Sequence, residues 1–256
     1  HSFSRLQYLL PLMPTRLPKV MSYQRQPTAR TVSLAARFAG ASLTFTGCSE
    51  HICRQGRRAG GHWQAIHNCV SLEKFTFQPQ VAEDAPLVFL SRLDPIKGAH
   101  GAIATAQKAN RRLLIAGNRI ETPAGQAYWE SHIAPHLGAT IEYIGPVDDQ
   151  QKNDLLGQAA AMIVPIEWDE PFGIVFAEAL ACGTPVISTP RGSLPEIVRP
   201  SVDGFLVNSV DEAVAAVHQL STLDRHQCRQ RVEQYFSADT IVSHYERLYT
   251  AGVYLS

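Results

Sequence analysis

The sequence of 256 residues has no long hydrophobic run. A membrane-spanning helix needs about 18 consecutive apolar residues. The most apolar stretch near the start, Leu6 to Met13, is short and punctuated by Pro11 and Pro14, and it has no signal-peptide layout. Net charge is also lacking, with 23 Lys+Arg against 23 Asp+Glu. Attraction to a polyanion by overall charge is therefore excluded, and no nucleic-acid partner is expected. There is no C-x-x-C pair, and the five cysteines (Cys48, Cys53, Cys69, Cys182, Cys228) make an odd count. That pattern argues against a disulfide framework or a zinc site and for reduced thiols in the cytoplasm. The spacing His132–His136 lacks the glutamate of H-E-x-x-H and encloses Pro135, so no metal site is read there.

What is present is the composition of a globular α/β chain: 45% hydrophobic, 18% charged, 17 Gly and 16 Pro. This is neither disordered, collagen-like nor coiled-coil, and the length allows one large or two small domains. Charge is unevenly spread: residues 1–80 carry ten basic and two acidic side chains, residues 81–256 thirteen and twenty-one. The opposite signs support two domains.

From Pro86 onward, apolar runs of strand length recur at Leu87–Ser91, Arg112–Gly117, Ile141–Gly145, Met162–Ile166, Pro185–Thr189 and Gly204–Val207. Most are continuous rather than alternating, as suits strands buried on both faces of a parallel sheet. Helix-like segments lie between them, near 99–110, 122–136, 148–160, 173–182, 193–198 and 210–221. This alternation predicts right-handed βαβ units in a doubly wound sheet, with the ligand site beyond the carboxyl ends of the strands. Residues 1–80 are less regular. Strands are read at Lys19–Gln24, Leu43–Gly47 and Trp63–Asn68, with a helix at Thr31–Ala39 and a Gly-rich loop carrying Arg54, Arg57 and Arg58. Gln78–Pro86 has linker composition, and Leu223–Leu255 reads as two helices, the last opening at Ser237. The predicted division is a partial Rossmann-like domain over 1–79, a complete one over 80–236 and a returning helix over 237–256.

Four stretches carry chemistry. In EPFGIVFAEALACG, Glu170–Gly183, Pro171 suits a first helical turn and Gly173 allows close backbone approach to a ligand. Glu170 falls at the helix mouth and Glu178 two turns further in. Such carboxylates can grip hydroxyls on either side of a diphosphate held by helix N–H groups; they can also serve only as a cap and a surface residue. In SRLDPIKG, Ser91–Gly98, Arg92 and Lys97 put two cations at a strand end, where cations suit a leaving diphosphate by stabilising its developing charge; taken alone they read more readily as two solvated loop charges. TPVISTPRGSLPEIV, from Thr184, gives a strand, a loop with Gly192 and a short helix. Gly145-Pro146-Val147 offers backbone against which a planar base can pack. Trp168, two residues before Glu170, can wall a sugar pocket, whereas Trp63 and Trp129 read as packing residues.

In order, SRLDPIKG, LLIAGN, IEYIGPV, EPFGIVFAEALACGTPVIST, RGSLPEIV and DGFLV resemble the donor-binding domain of retaining glycosyltransferases of the GT-B fold. The match is to the group 1, family-4-like enzymes, sucrose-synthase-like and mannosyltransferase-like, and its most specific element is the E-x7-E pair Glu170 and Glu178. The resemblance spans residues 40–255, and 86–208 most strongly. It implies an α/β protein of GT-B type, a doubly wound donor domain preceded by a partial Rossmann-like domain. It implies transfer of a sugar from a nucleoside-diphosphate sugar with retention, UDP first by family frequency, then GDP or ADP. Arg92 and Lys97 would bind the phosphates, Glu170 the transferred sugar and Glu178 the ribose. Phe172, Gly173 and Ile174 would offer backbone N–H groups, and Ser91 and Val147 would complete the donor pocket. No cofactor or metal is implied, and the sequence has no D-x-D motif.

The acceptor is a sugar, a lipid-linked sugar or a small molecule. Peripheral contact with the inner face of a membrane, through Arg54, Arg57 and Arg58, is admitted. The resemblance further implies that about the first third of such a protein is missing before His1, itself a candidate for the catalytic centre. Two alternatives stay open: an inactive fragment that binds nucleotide sugar, and a sugar-nucleotide epimerase on the same fold. A phosphorylase would need a pyridoxal-phosphate lysine, for which no motif is found.

Overall fold

The computed structural model describes residues 1–254, with the backbone alone for 252–254. In chain order its elements are β1 (Ser2–Phe3), β2 (Lys19–Tyr23), α1 (Ala29–Ala39), β3 (Leu43–Gly47), α2 (Glu50–Arg57), β4 (His62–Ala65), β5 (Leu87–Leu90), α3 (Ala99–Lys108), β6 (Leu113–Ala116), α4 (Pro123–His132), β7 (Ile141–Gly145), α5 (Asp149–Gln158), β8 (Ala161–Val164), α6 (Ile174–Ala181), β9 (Val186–Ser188), α7 (Leu194–Ile197), β10 (Gly204–Leu206), α8 (Val210–His218), α9 (Arg225–Tyr235) and α10 (Ala238–Tyr254). They form two compact units, one of residues 1–69 together with the segment from Ala238, the other Val70–Ser237.

The first unit holds a parallel sheet in the order β1-β2-β3-β4. All five residues of β2 are buried. Phe45 on β3 stands opposite Trp63 on β4, and their rings stack at 4.8 Å. The segment read as a Gly-rich loop is instead helix α2. Ser49 caps it by accepting from the Ile52 N–H, and Glu50 lies in its first turn. Gly56 belongs to that helix because nothing larger fits: a Cβ there would lie 2.2 Å from the Trp63 ring. Arg57 is not a free loop cation, since it pairs with Glu50 and donates to the Trp63 carbonyl at 3.1 Å.

The second unit is a six-stranded, all-parallel sheet in the order β10-β9-β8-β5-β6-β7. Counted within the unit this is 6-5-4-1-2-3, the dinucleotide-binding order, which reverses between β5 and β8. The central strands β5, β8 and β9 are buried along their whole length. The edge strand β7 alternates buried and open positions because only one face is covered. Residues 70–79 pack on this unit, not ahead of it. The Val70 N–H donates to the Phe236 carbonyl at 2.8 Å, and the Gln78 N–H to that of Cys182 at 3.0 Å. The division thus falls at 69/70, ten residues before the linker composition suggested.

Arg225, on α9, ties the unit together. Its guanidinium donates to the carbonyls of Gln78 (2.7 Å), Ala159 (3.0 Å) and Gly157 (3.1 Å) and to Thr184 Oγ1 (3.0 Å). The side chain is buried, and burial lowers its pKa. Gly157 and Ala159 lie at the end of α5, whose terminal carbonyls have no partners within the helix.

Candidate functional site

The reversal between β5 and β8 opens a crevice at the carboxyl ends of the two strands. Two loops enter it. After β5, Asp94 caps a short turn through its contact with the Ile96 N–H, and Lys97 follows. After β8 comes Pro165 to Gly173. The loops are in direct backbone contact: the Glu167 N–H donates to the Ile96 carbonyl at 2.8 Å. Gly98 sits in the left-handed region at φ 77°, and a Cβ there would lie 2.1 Å from the Pro165 carbonyl oxygen. A second tie runs from His100, whose ring meets Glu167 Oε1 at 2.9 Å and the Tyr128 hydroxyl at 2.9 Å.

This contact brings Lys97 and Glu170 together. Lys97 Nζ donates to Glu170 Oε2 at 2.5 Å, with both side chains only 12% exposed. Trp168 Nε1–H donates to the same oxygen at 3.0 Å, and the Lys97 ammonium lies 4.6 Å from the centre of the indole. Glu170 is fixed from the other side by the RGS loop, since the Ser193 N–H donates to its carbonyl at 2.9 Å. Ser193 Oγ holds the Phe172 carbonyl at 2.7 Å.

Helix α6 begins at Ile174, with Gly173 as its left-handed cap. Pro171 therefore precedes the helix and does not occupy its first turn. The Phe172 side chain is buried against Phe236, while that of Ile174 is 44% exposed. Glu178 lies in the second turn of α6 and is 14% exposed. Its partner is one the sequence reading missed. Lys152, on α5, donates to Glu178 Oε1 at 2.9 Å and lies 3.3 Å from Asp149 and 5.2 Å from the Phe75 ring. Burial works against the Lys152 charge, but its contacts with the two carboxylates outweigh this and raise its pKa. Lys152 stands three residues after Asp149 on a capping-box helix, an ordinary surface signature. Nothing local indicates a carboxylate 26 positions away.

The remaining predicted residues of the second unit form no ion pair or side-chain hydrogen bond with these two pairs among the described residues. Arg92 is 62% exposed and, among the described residues, pairs with Asp94 at 3.6 Å. Ser91 is half-buried at the end of β5, and Val147 is half-buried between β7 and α5. In the first unit, His1 contacts Ser22 Oγ at 2.5 Å and the Tyr249 hydroxyl at 2.8 Å, in a cavity of about 470 Å³ also lined by Phe3, His67 and Tyr245.

Parallel α/β units, one of dinucleotide-binding order with lysine-held carboxylates beside its switch point, define a protein of GT-B type. The same fold recurs in HepE of Anabaena in complex with UDP-glucose (TM-score 0.71, 18% identity, 91% of this chain and 78% of that one). It recurs in sucrose-phosphate synthase of Thermosynechococcus elongatus (TM-score 0.74, 21% identity, 93% and 68%). Residues 73–235 match the model of the glycosyl transferases group 1, and the chain belongs to that family. Among curated relatives, the D-inositol 3-phosphate glycosyltransferase of Mycobacterium sp. (strain JLS) is 32% identical over 162 residues, covering 57% of this chain. The chain spans 36% of that relative's length. No helix among the described residues is long and apolar enough to cross a membrane.

Proposed function

We propose that the protein transfers a sugar from a nucleoside-diphosphate donor, UDP first and GDP or ADP next, to an acceptor hydroxyl with retention at the anomeric carbon. One observation carries this reading. Glu170 and Glu178 are both largely buried, and each is held on one oxygen by a lysine, Lys97 and Lys152. A carboxylate fixed in this way keeps its second oxygen for a ligand hydroxyl. In the transfer, the bond from the anomeric carbon to the diphosphate oxygen breaks and the acceptor oxygen takes that carbon. The acceptor proton leaves with the diphosphate. Lys97 and Arg92 stabilise the charge that grows on the departing oxygen. Glu170 orients the transferred sugar and Glu178 the ribose, with the backbone of Phe172, Gly173 and Ile174 facing the diphosphate and Ser91 and Val147 completing the pocket. A UDP-sugar donor is supported by the HepE complex with UDP-glucose.

The acceptor in this reading is a sugar, a lipid-linked sugar or a small molecule. The location is cytoplasmic, at the inner face of the membrane where the acceptor is lipid-linked. A second reading is donor binding without turnover. Sugar transfer by this chain alone would dismiss it.

Calorimetric titration with UDP, GDP and ADP tests the donor site. Glu178→Ala is expected to weaken binding of the preferred nucleotide by about 1.5–3 kcal/mol, the worth of a hydrogen bond to a charged group. Glu170→Ala should instead weaken the nucleotide sugar and spare the bare nucleotide. Unchanged affinities in both variants would remove the assignment. Lys152→Met leaves Glu178 half-buried without its cation, and about a tenfold loss of nucleotide affinity is expected. Isothermal titration against the native chain checks this, and an unchanged affinity would mean that Lys152 does not position Glu178.

A further inference from the structure

Glu170 has two partners on one oxygen, and only one of them can also serve the diphosphate. We infer that Trp168 is the positioning residue that keeps Glu170 aimed at the transferred sugar when Lys97 turns to the phosphates. This rests on the donor-site reading above and deepens it. Both donors meet Oε2, Lys97 at 2.5 Å and the indole N–H at 3.0 Å, while no contact to Oε1 is seen among the described residues. Glu170 therefore presents one free acceptor, in one direction, to one hydroxyl.

The diphosphate brings negative charge to a loop whose buried cation is Lys97. A lysine ammonium is a flexible point charge, and it redistributes toward the stronger anion. Glu170 would then lose its closest partner at the moment its orientation matters. The indole N–H is a donor only and carries no charge, so a phosphate does not draw it away as it draws the ammonium. Before the donor arrives, the indole face also carries the Lys97 ammonium at 4.6 Å, a cation–π contact. Trp168 acts through Glu170 and is not itself assigned a contact with the sugar.

Trp168→Phe is the test, since it keeps an aromatic face for Lys97 and removes the N–H together with one of the two fused rings. Affinities for UDP and UDP-glucose are measured by calorimetry in the native chain, in Trp168→Phe, in Glu170→Ala and in the double variant. The expected result is an affinity for UDP-glucose lowered about tenfold in Trp168→Phe, as for loss of one hydrogen bond to a charged group. UDP affinity and melting temperature should be unchanged, and the double variant should be no weaker than Glu170→Ala. Equal losses for UDP and UDP-glucose, or additive losses in the double variant, overturn the inference, because a general packing role acts in that way. If Glu170→Ala itself leaves the UDP-glucose to UDP ratio unchanged, or if neither probe binds, the donor-site reading falls and the inference with it.

Discussion

Gly98→Ala is expected to lower donor affinity and transfer rate by about a hundredfold or more while leaving the chain folded. The residue joins the turn that carries Lys97 to helix α3, at φ 77°. An alanine in that conformation costs roughly 1–2 kcal/mol. The larger effect is spatial: the new Cβ would meet the Pro165 carbonyl oxygen at 2.1 Å and its carbon at 2.9 Å. Both neighbours are backbone, so relief requires the two loops to part by about 1 Å. Parting them separates Lys97 from Glu170, and a displacement of that size in a positioned group costs about a hundredfold. Calorimetry with nucleotide sugar reads the loss, and a thermal melt reads the fold. Gly138→Ala is the control, because nothing lies within 4 Å of its Cβ position. Equal donor affinity in the two variants would mean that the loops do not form one site.

Arg225→Met should cost the Val70–Ser237 unit about 3 kcal/mol or more. The loss leaves three carbonyls and the Thr184 hydroxyl without their donor in a buried region, at about 1–3 kcal/mol for each group left unsatisfied, partly relieved by relaxation. No carboxylate pairs with this guanidinium among the described residues; carbonyl dipoles at the end of α5 take that role. For a unit of this size the expected drop in melting temperature is about 10 °C. Arg225→Lys should recover only part of it, since an ammonium cannot span Gln78, Ala159 and Gly157 at once. A melting temperature within a degree or two of native would show that water replaces the guanidinium without loss.

The course of the second unit was legible because each βα step carries its own signal. Continuous apolar runs such as Leu87–Leu90 and Ala161–Val164 became central strands, and the two carboxylates of the E-x7-E spacing are both largely buried. What escaped depends on distances that no local pattern encodes. Lys152 finds Glu178 only because α5 and α6 lie side by side. Trp168 read as a wall, and its N–H contact with Glu170 follows from how the Pro165–Gly173 loop turns. Helix α2 was lost to Gly56 and to the glycines that follow it, although Gly56 is there because Trp63 fills the space of a side chain. Pro171 looked like a first-turn proline, but Gly173, with its left-handed backbone, starts the helix two residues later.

The chain enters the second unit at Val70 and leaves it at Ser237, and these two residues are bridged as neighbouring parallel backbone. The first unit is therefore split in sequence, with α10 synthesised after the second unit. A ribosome adding roughly 5–20 residues per second spends on the order of ten to thirty seconds on residues 70–237. Throughout that interval the emerging β1–β4 segment has no α10, and His1 and Ser22 have neither Tyr245 nor Tyr249 to meet. The later-made unit, contiguous and self-contained, can finish folding first, so the order of birth and the order of completion are reversed along this chain.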